Sequence, residues 1–315
     1  MHIVGTPLWC DARHARDACF VTSARVKEAR RHRQIIATET TIQLLTQAGR
    51  RAGAELAVPL GRPFSLGNLR LELFPSGHVV GAASLAVDLP MARVVCAGTV
   101  NPNGEGFAGR AEIRRCDVLV IDASPFHQRE PAPPRADVVR DLMDWVEKVR
   151  GAGETPVLLA EPLGAALDVM AALEGTPVRA PRLMVEQVRV LRQAGLGVPL
   201  PRRLNGPPRP GEVVIWPPSP LGAAGLARLR TSRLALVGTW AADPTFLAEL
   251  RVDAGFPLLD QAGHADLVDY IVQTGAREVY LTGGGGELVR ELESRAIQAR
   301  LLGPPTQLSL WGNAS

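Results

Sequence analysis

The chain changes rhythm near Ala136. Before it, short runs rich in Val, Ile, Leu and Phe follow one another: ACFVT (18–22), LRLELF (69–74), ASLAVDL (83–89), RVVCAG (93–98) and CDVLVIDAS (116–124). Each is bounded by Gly, Pro or charge, the pattern of a β-strand. After it, ADVVRDLMDWVEKVRGAG has a helical apolar period and stops at Gly. Strands and helices then alternate. TPVLLAE (155–161), EVVIWPP (212–218) and RLALVGTW (233–240) read as strands, LGAALDVMAALEG and PRLMVEQVRVLRQAG as helices. That alternation predicts a parallel α/β unit. The stretch from His264 to Leu302 reads as helix, strand, Gly loop, helix and short strand. Pro-rich HQREPAPPR (127–135) and LPRRLNGPPRPGE (200–212) are the expected joints, and WGNAS is expected to be a loose tail.

Several classes of protein are excluded or disfavoured by composition. Hydrophobic residues make up 46% of the 315 and charged residues 21%, enough to bury a substantial core. No apolar run approaches the roughly 18 residues of a membrane helix. The start, MHIVGTPLWCDARH, lacks a basic region followed by an apolar stretch, so no signal peptide is expected. Cys10, Cys19, Cys96 and Cys116 form no CxxC pair. Cys19 and Cys96 fall in apolar strands, where a small buried thiol is expected. A cytoplasmic, reduced protein follows. The net charge is +3, carried mainly by Arg, which is compatible with nucleic acid without requiring it. ARRHR (29–33) offers Arg30, Arg31 and Arg33 as nucleic-acid-binding candidates; the alternative is a solvated helix face.

FVTSARVKEA (20–29) leaves a buried strand and enters a loop carrying Arg25, Lys27 and Glu28. A core strand that opens onto such a cluster invites comparison with strand-end catalytic loops. Read with FPSGHVVGAASLAV (74–87), RVVCAGTVNP (93–102), CDVLVIDASPFH (116–127) and GFPLLDQAGHADLVDYIVQTGAREVYLTGGGG (255–286), it resembles the ordered motifs of metallo-β-lactamase-fold nucleases of the β-CASP subgroup. The pattern is nearest to DNA-ligase-associated exonucleases and relatives of mRNA 3′-end processing factors, and it spans nearly the whole chain. The resemblance implies an α/β fold. Residues 1–150 and 245–315 would form a four-layer αββα metallo-β-lactamase-like core, and residues 151–244 an inserted β-CASP α/β domain. The cleft between them would be where relatives hold nucleic acid.

The family's chemistry uses imidazoles and carboxylates converging on two zinc ions, whose bound water becomes hydroxide near neutral pH. By resemblance, the matching positions here are Ser23, Arg25, Lys27, Glu28, His78, Thr99, Asp122, Gln261 and Gly283. Arg and Lys repel a cation, and Ser is a poor zinc ligand. Glu28 retains a possible donor, while His78 and Asp122 are the remaining metal candidates. His264 lies three residues past the family's position and is not counted as a replacement. The six histidines, His2, His14, His32, His78, His127 and His264, show no metal-binding spacing.

Arg25 or Lys27 is therefore expected to pair with Asp122 or Glu28 in place of metal charge; the alternative is that both cations face water. Other candidates remain open. GGGG (283–286) before a helix reads as a phosphate cradle or as a plain turn. Ser124 and His127 are close in sequence but lack the Gly-x-Ser-x-Gly context of a hydrolase elbow. Ala165 stands where the resemblance has a Lys. The expectation is a catalytically silent nuclease homologue with no cofactor, serving as a binding or assembly partner. Its partners would be an active β-CASP paralogue, a helicase or ligase-type protein, or RNA or DNA, with no membrane. The alternative is an active metal-dependent nucleic-acid phosphodiesterase, with zinc in a rearranged or single-metal site built from His78, Asp122, Glu28 and His264. A third is an unrelated small-molecule α/β enzyme.

Overall fold

The structure, a computed structural model, describes residues 1–124, 133–218 and 231–303. Among these residues the chain is a mixed α/β protein with three sheets. The first sheet is parallel, in the order β1 (Leu8–Cys10), β2 (Ala18–Phe20), β3 (Gln34–Ala37) and β4 (Ala54–Ala57). Helix α1 (Glu39–Gln47) joins β3 to β4. Its first turn is capped by Thr38, whose Oγ1 accepts from Thr41 N at 3.2 Å.

The second sheet starts with β5 (Phe64–Leu66), β6 (Leu69–Pro75), β7 (Ala83–Asp88) and β8 (Arg93–Gly98), each antiparallel to the last. Next comes β9 (Val118–Asp122), parallel to β8. Side-chain alternation divides these strands between two cores. Leu73, Leu85, Val87, Cys96 and Val120 face the first sheet, where they meet Leu8, Phe20 and Ile36. Their neighbours Phe74, Ala86, Val95, Ala97, Leu119 and Ile121 face the opposite way. With both faces buried, β7 and β8 read as unbroken apolar runs rather than as alternating ones. Full burial of each large side chain contributes about 1.5–3 kcal/mol, which fixes the strand register.

After α2 (Arg135–Gly151) the third sheet forms. Its elements are β10 (Thr155–Ala160), α3 (Ala165–Ala172), β11 (Val178–Ala180), α4 (Arg182–Gln193), β12 (Arg202–Arg203), β13 (Val213–Trp216), β14 (Ser232–Val237), α5 (Pro244–Leu250) and β15 (Ala254–Phe256). The sheet is parallel, in the order β12-β11-β13-β10-β14-β15. Leu158, Ala160, Val213, Ile215, Ala235 and Val237 face α2, α3 and α4. Val157, Leu159, Val214 and Leu236 pack on the other face with Phe246 and Leu247 of α5. The Pro- and Arg-rich stretch 200–212 contributes the two-residue edge strand β12, where Pro and charge are tolerated.

The chain then returns to the second sheet. Helix α6 (His264–Thr274), β16 (Glu278–Thr282), α7 (Gly286–Ser294) and β17 (Gln298–Leu302) complete it. The final order is β17-β16-β9-β8-β7-β6-β5. Leu267, Tyr270 and Ile271 of α6 and Leu288 and Leu292 of α7 cover its outer face. Among the described residues no helix is long and apolar enough to cross a membrane. The WGNAS tail, His127 and most of the first Pro-rich joint lie outside the described residues.

Candidate functional site

The loop 21–28 leaves β2 towards the second sheet. It is anchored there by the Ala83 N–H, which donates to Thr22 O at 2.9 Å. Ser23 is buried, and its carbonyl accepts from Val26 N, closing a turn that carries Arg25 inward. The two amino groups of the Arg25 guanidinium then divide their work. Nη2 donates to Asp260 Oδ2 at 2.8 Å, and Nη1 lies 3.2 Å from His78 Nε2. His78 Nδ1 is 3.0 Å from the Asp260 carbonyl. A carbonyl only accepts, so Nδ1 carries the proton and Nε2 accepts from Arg25. The imidazole is thus neutral, and burial, aided by the charge of Arg25, holds its pKa below the ordinary value against the pull of Asp260. The other Asp260 oxygen accepts from Thr239 Oγ1 at 3.2 Å.

Arg25 and His78 line a cavity that a second group, of carboxylates, also lines. Asp122, at the end of β9, accepts from Thr99 Oγ1 at 2.8 Å and from Ser124 Oγ at 2.6 Å. Thr99 follows a bulge in β8 at Gly98, whose φ of +65° and contact with the Thr22 side chain leave no room for a Cβ. Asp11, directly after β1, has a left-handed φ of 41°, a conformation that Asp tolerates better than most residues. It is held there by Thr22, whose N and Oγ1 donate to it at 2.9 and 2.7 Å. Burial pushes the Asp11 carboxyl above its ordinary pKa, the Thr22 bonds oppose that, and the nearby Asp122 charge adds to it.

Seven of the nine positions singled out in the sequence line this one cavity of about 800 Å³: Ser23, Arg25, His78, Thr99, Asp122, Gln261 and Gly283. Lys27 and Glu28 do not; Lys27 is exposed and Glu28 precedes the 3-10 turn Ala29–Arg31. The expected pairing of Arg25 or Lys27 with Asp122 or Glu28 is corrected. Arg25 pairs with Asp260, because Asp122 is already occupied by hydroxyl donors and Asp260 lies beside His78. Among the described residues neither Lys27 nor Glu28 forms an ion pair. His264, at the start of α6, is engaged instead with Glu291 of α7, Nε2 to Oε2 at 2.8 Å. Ser124 is bound to Asp122. Ala165 is buried at the start of α3. Gly283 and Gly284 have φ of +76° and +77°, and a Cβ on Gly283 would strike Ser124 Oγ, so close packing accounts for their lack of side chains. Arg30, Arg31 and Arg33 are exposed.

Asp260 is the residue that sequence reasoning missed. Its signal was present: it is the lone acid in the apolar FPLLDQAG, directly before Gln261. Among the described residues, no group of three or more His, Cys, Asp and Glu side chains has an arrangement that could hold a metal ion.

No protein-family model matches the chain. Over 307 residues it is 25% identical to a "Probable DNA ligase" of Opitutus terrae. The match takes in 96% of this chain and 30% of that protein, so the chain spans less than a third of the relative's length. Among solved structures, it is similar to a protein of unknown function from Enterococcus faecalis V583, with a TM-score of 0.60 and 14% identity. That similarity covers 91% of this chain and 79% of the other, and at such identity it speaks to fold alone.

Proposed function

We propose that this protein is a catalytically silent relative of metal-dependent β-CASP nucleases, acting as a binding or assembly partner in nucleic-acid processing. The observation that carries the reading is the Arg25 guanidinium set between His78 Nε2 and the Asp260 carboxylate. The imidazole lone pair that would go to a zinc ion is spent on Arg25. The charge that would balance Asp260 is supplied by the protein itself. Asp122 and Asp11 are satisfied by hydroxyl and backbone donors. These residues do not fit a two-zinc centre, which needs several free nitrogen and oxygen donors on each ion.

In this reading the third sheet, drawn wholly from 155–256 and inserted between β9 and β16, is the counterpart of the β-CASP insert. The match to part of a protein named as a probable DNA ligase supports a ligase-type partner. In that relative, a similar segment shares one chain with more than twice its own length of other sequence.

Metal analysis of the purified protein, with cleavage assays on single-stranded DNA and RNA, tests the reading. The expected result is well under one zinc per chain and no cleavage that a chelator abolishes. About two bound zinc ions with chelator-sensitive cleavage, the signature of a two-metal phosphoesterase, would overturn it.

A further inference from the structure

Two segments far from each other in function-bearing motifs come together at the first sheet. The β1–β2 loop carries Arg13 and Arg16, and the chain between β2 and β3 carries Arg30, Arg31 and Arg33. They are tied by one main-chain and one side-chain bond: Arg33 N donates to Arg16 O at 2.9 Å, and Arg31 Nη1 donates to Arg13 O at 3.1 Å. Arg16 is held in place with its guanidinium 3.8 Å over the Trp9 ring, which itself stacks on His2. Arg13, Arg30, Arg31 and Arg33 are exposed and Arg16 is half-buried.

Among the described residues none of the five arginines forms an ion pair, although arginines elsewhere in the chain commonly do, as at Arg93, Arg114, Arg179 and Arg233. The acids on these two segments are Asp11, turned into the cavity onto Thr22, Asp17 and Glu28. Arg13 also lines the 800 Å³ cavity that holds Arg25 and His78, so the basic strip runs to the cavity mouth.

We infer that Arg13, Arg16, Arg30, Arg31 and Arg33 form one phosphate-binding strip that leads a nucleic-acid backbone to the cavity. The inference rests on the nucleic-acid reading above and adds the surface and its path. Guanidinium groups without an intramolecular acid bind phosphate oxygens bidentately and release condensed counterions when they do so. Three of these arginines belong to a run that the sequence alone could equally assign to solvent. Arg13 and Arg16 join them only through the fold.

The test is fluorescence anisotropy of the full chain with labelled single-stranded DNA, duplex DNA and single-stranded RNA of one sequence, across a salt series. Binding is expected to weaken steeply with salt. Changing all five arginines to Gln should reduce the slope of log K against log salt by about 3.5 for a single strand, or about 4.5 for a duplex, if every one meets a phosphate. The three probes thereby report which form the strip takes. Because Arg16 and Arg31 also make internal contacts, the R13Q/R30Q/R33Q variant serves as the milder version, with an expected slope loss of about 2–3. R202Q/R203Q on the third sheet is the control and should keep the wild-type slope. Wild-type binding that survives both strip variants with its slope unchanged would overturn this inference and leave the proposed function standing. A wild-type chain that binds none of the three probes at low salt would remove the strip and the nucleic-acid part of the reading together.

Discussion

Asp260, behind the cavity-lining Arg25 and His78, and the cavity-lining Asp122 and Asp11 are held by different means. On one side Asp260 meets a full positive charge, Arg25, with Thr239 on its second oxygen. On the other, among the described residues Asp122 and Asp11 form no side-chain ion pair and rely on Thr99, Ser124 and Thr22, with the N-terminal ammonium favouring the charged form of Asp11 from nearby. The difference teaches how a pocket of this shape stands without metal. Ion pairing is used where an imidazole must also be held neutral. Hydroxyl donors suffice where the acids are partly open to the cavity.

The largest expected effect is on the charged side. R25M should destabilise the fold by about 3 kcal/mol, since it leaves Asp260 buried without its cation and removes a donor from His78. Urea unfolding measures this. The double variant R25M/D260N should recover much of the loss; if R25M alone is neutral, the ion pair is not what holds this side. On the hydroxyl side, T99V should cost about 1 kcal/mol by the same measurement, because Asp122 keeps its Ser124 bonds. A T99V effect equal to that of R25M would erase the contrast.

Smaller still are the pH effects, which run in opposite senses on the two sides. The folded pKa of His78 lies below its ordinary value of 6.5, so the unfolded chain takes up the proton first as pH falls. Wild-type stability should therefore fall on acidification below 6.5, and H78Q should lose that slope. The folded pKa of Asp11 lies above its ordinary value of 3.8, so the native state holds the proton longer as pH rises. Its contribution should decline as pH climbs from 3.8 through the raised value, and D11N should abolish that decline. Unfolding midpoints of each variant against wild type, taken over pH, separate the two. At the small end, K27Q should change stability by under about 0.5 kcal/mol, as expected for an exposed side chain outside the cavity.

What was legible in the sequence follows from element length. Runs such as ASLAVD and VLVID are buried on both faces and long enough to read directly. The three-residue strands Leu8–Cys10, Phe64–Leu66 and Ala254–Phe256 offer too few positions for any alternation to appear. Helix α1 was hidden as well. Its TETTIQLLTQ is rich in β-branched Thr, which disfavours a helix locally, and burial of Ile42, Leu44 and Leu45 outweighs that preference. At the site, seven of the residues picked out by motif order line one cavity. The partner of Arg25 was not legible, because 235 residues separate the pair, and the lone acid in FPLLDQAG marks Asp260 as unusual without saying which cation it meets.

The insertion of the third sheet between β9 and β16 also sets an order of assembly. As the chain leaves the ribosome, β9 has β8 on one flank and bare N–H and C=O groups on the other until the whole α/β insert has been made. The parallel partner β16 closes that flank only at the end, a late and slow step for a contact of such sequence separation. A nascent or truncated chain that stops before Glu278 therefore presents a sticky strand, and its fate in the cell is aggregation or capture by a chaperone rather than a stable half-protein.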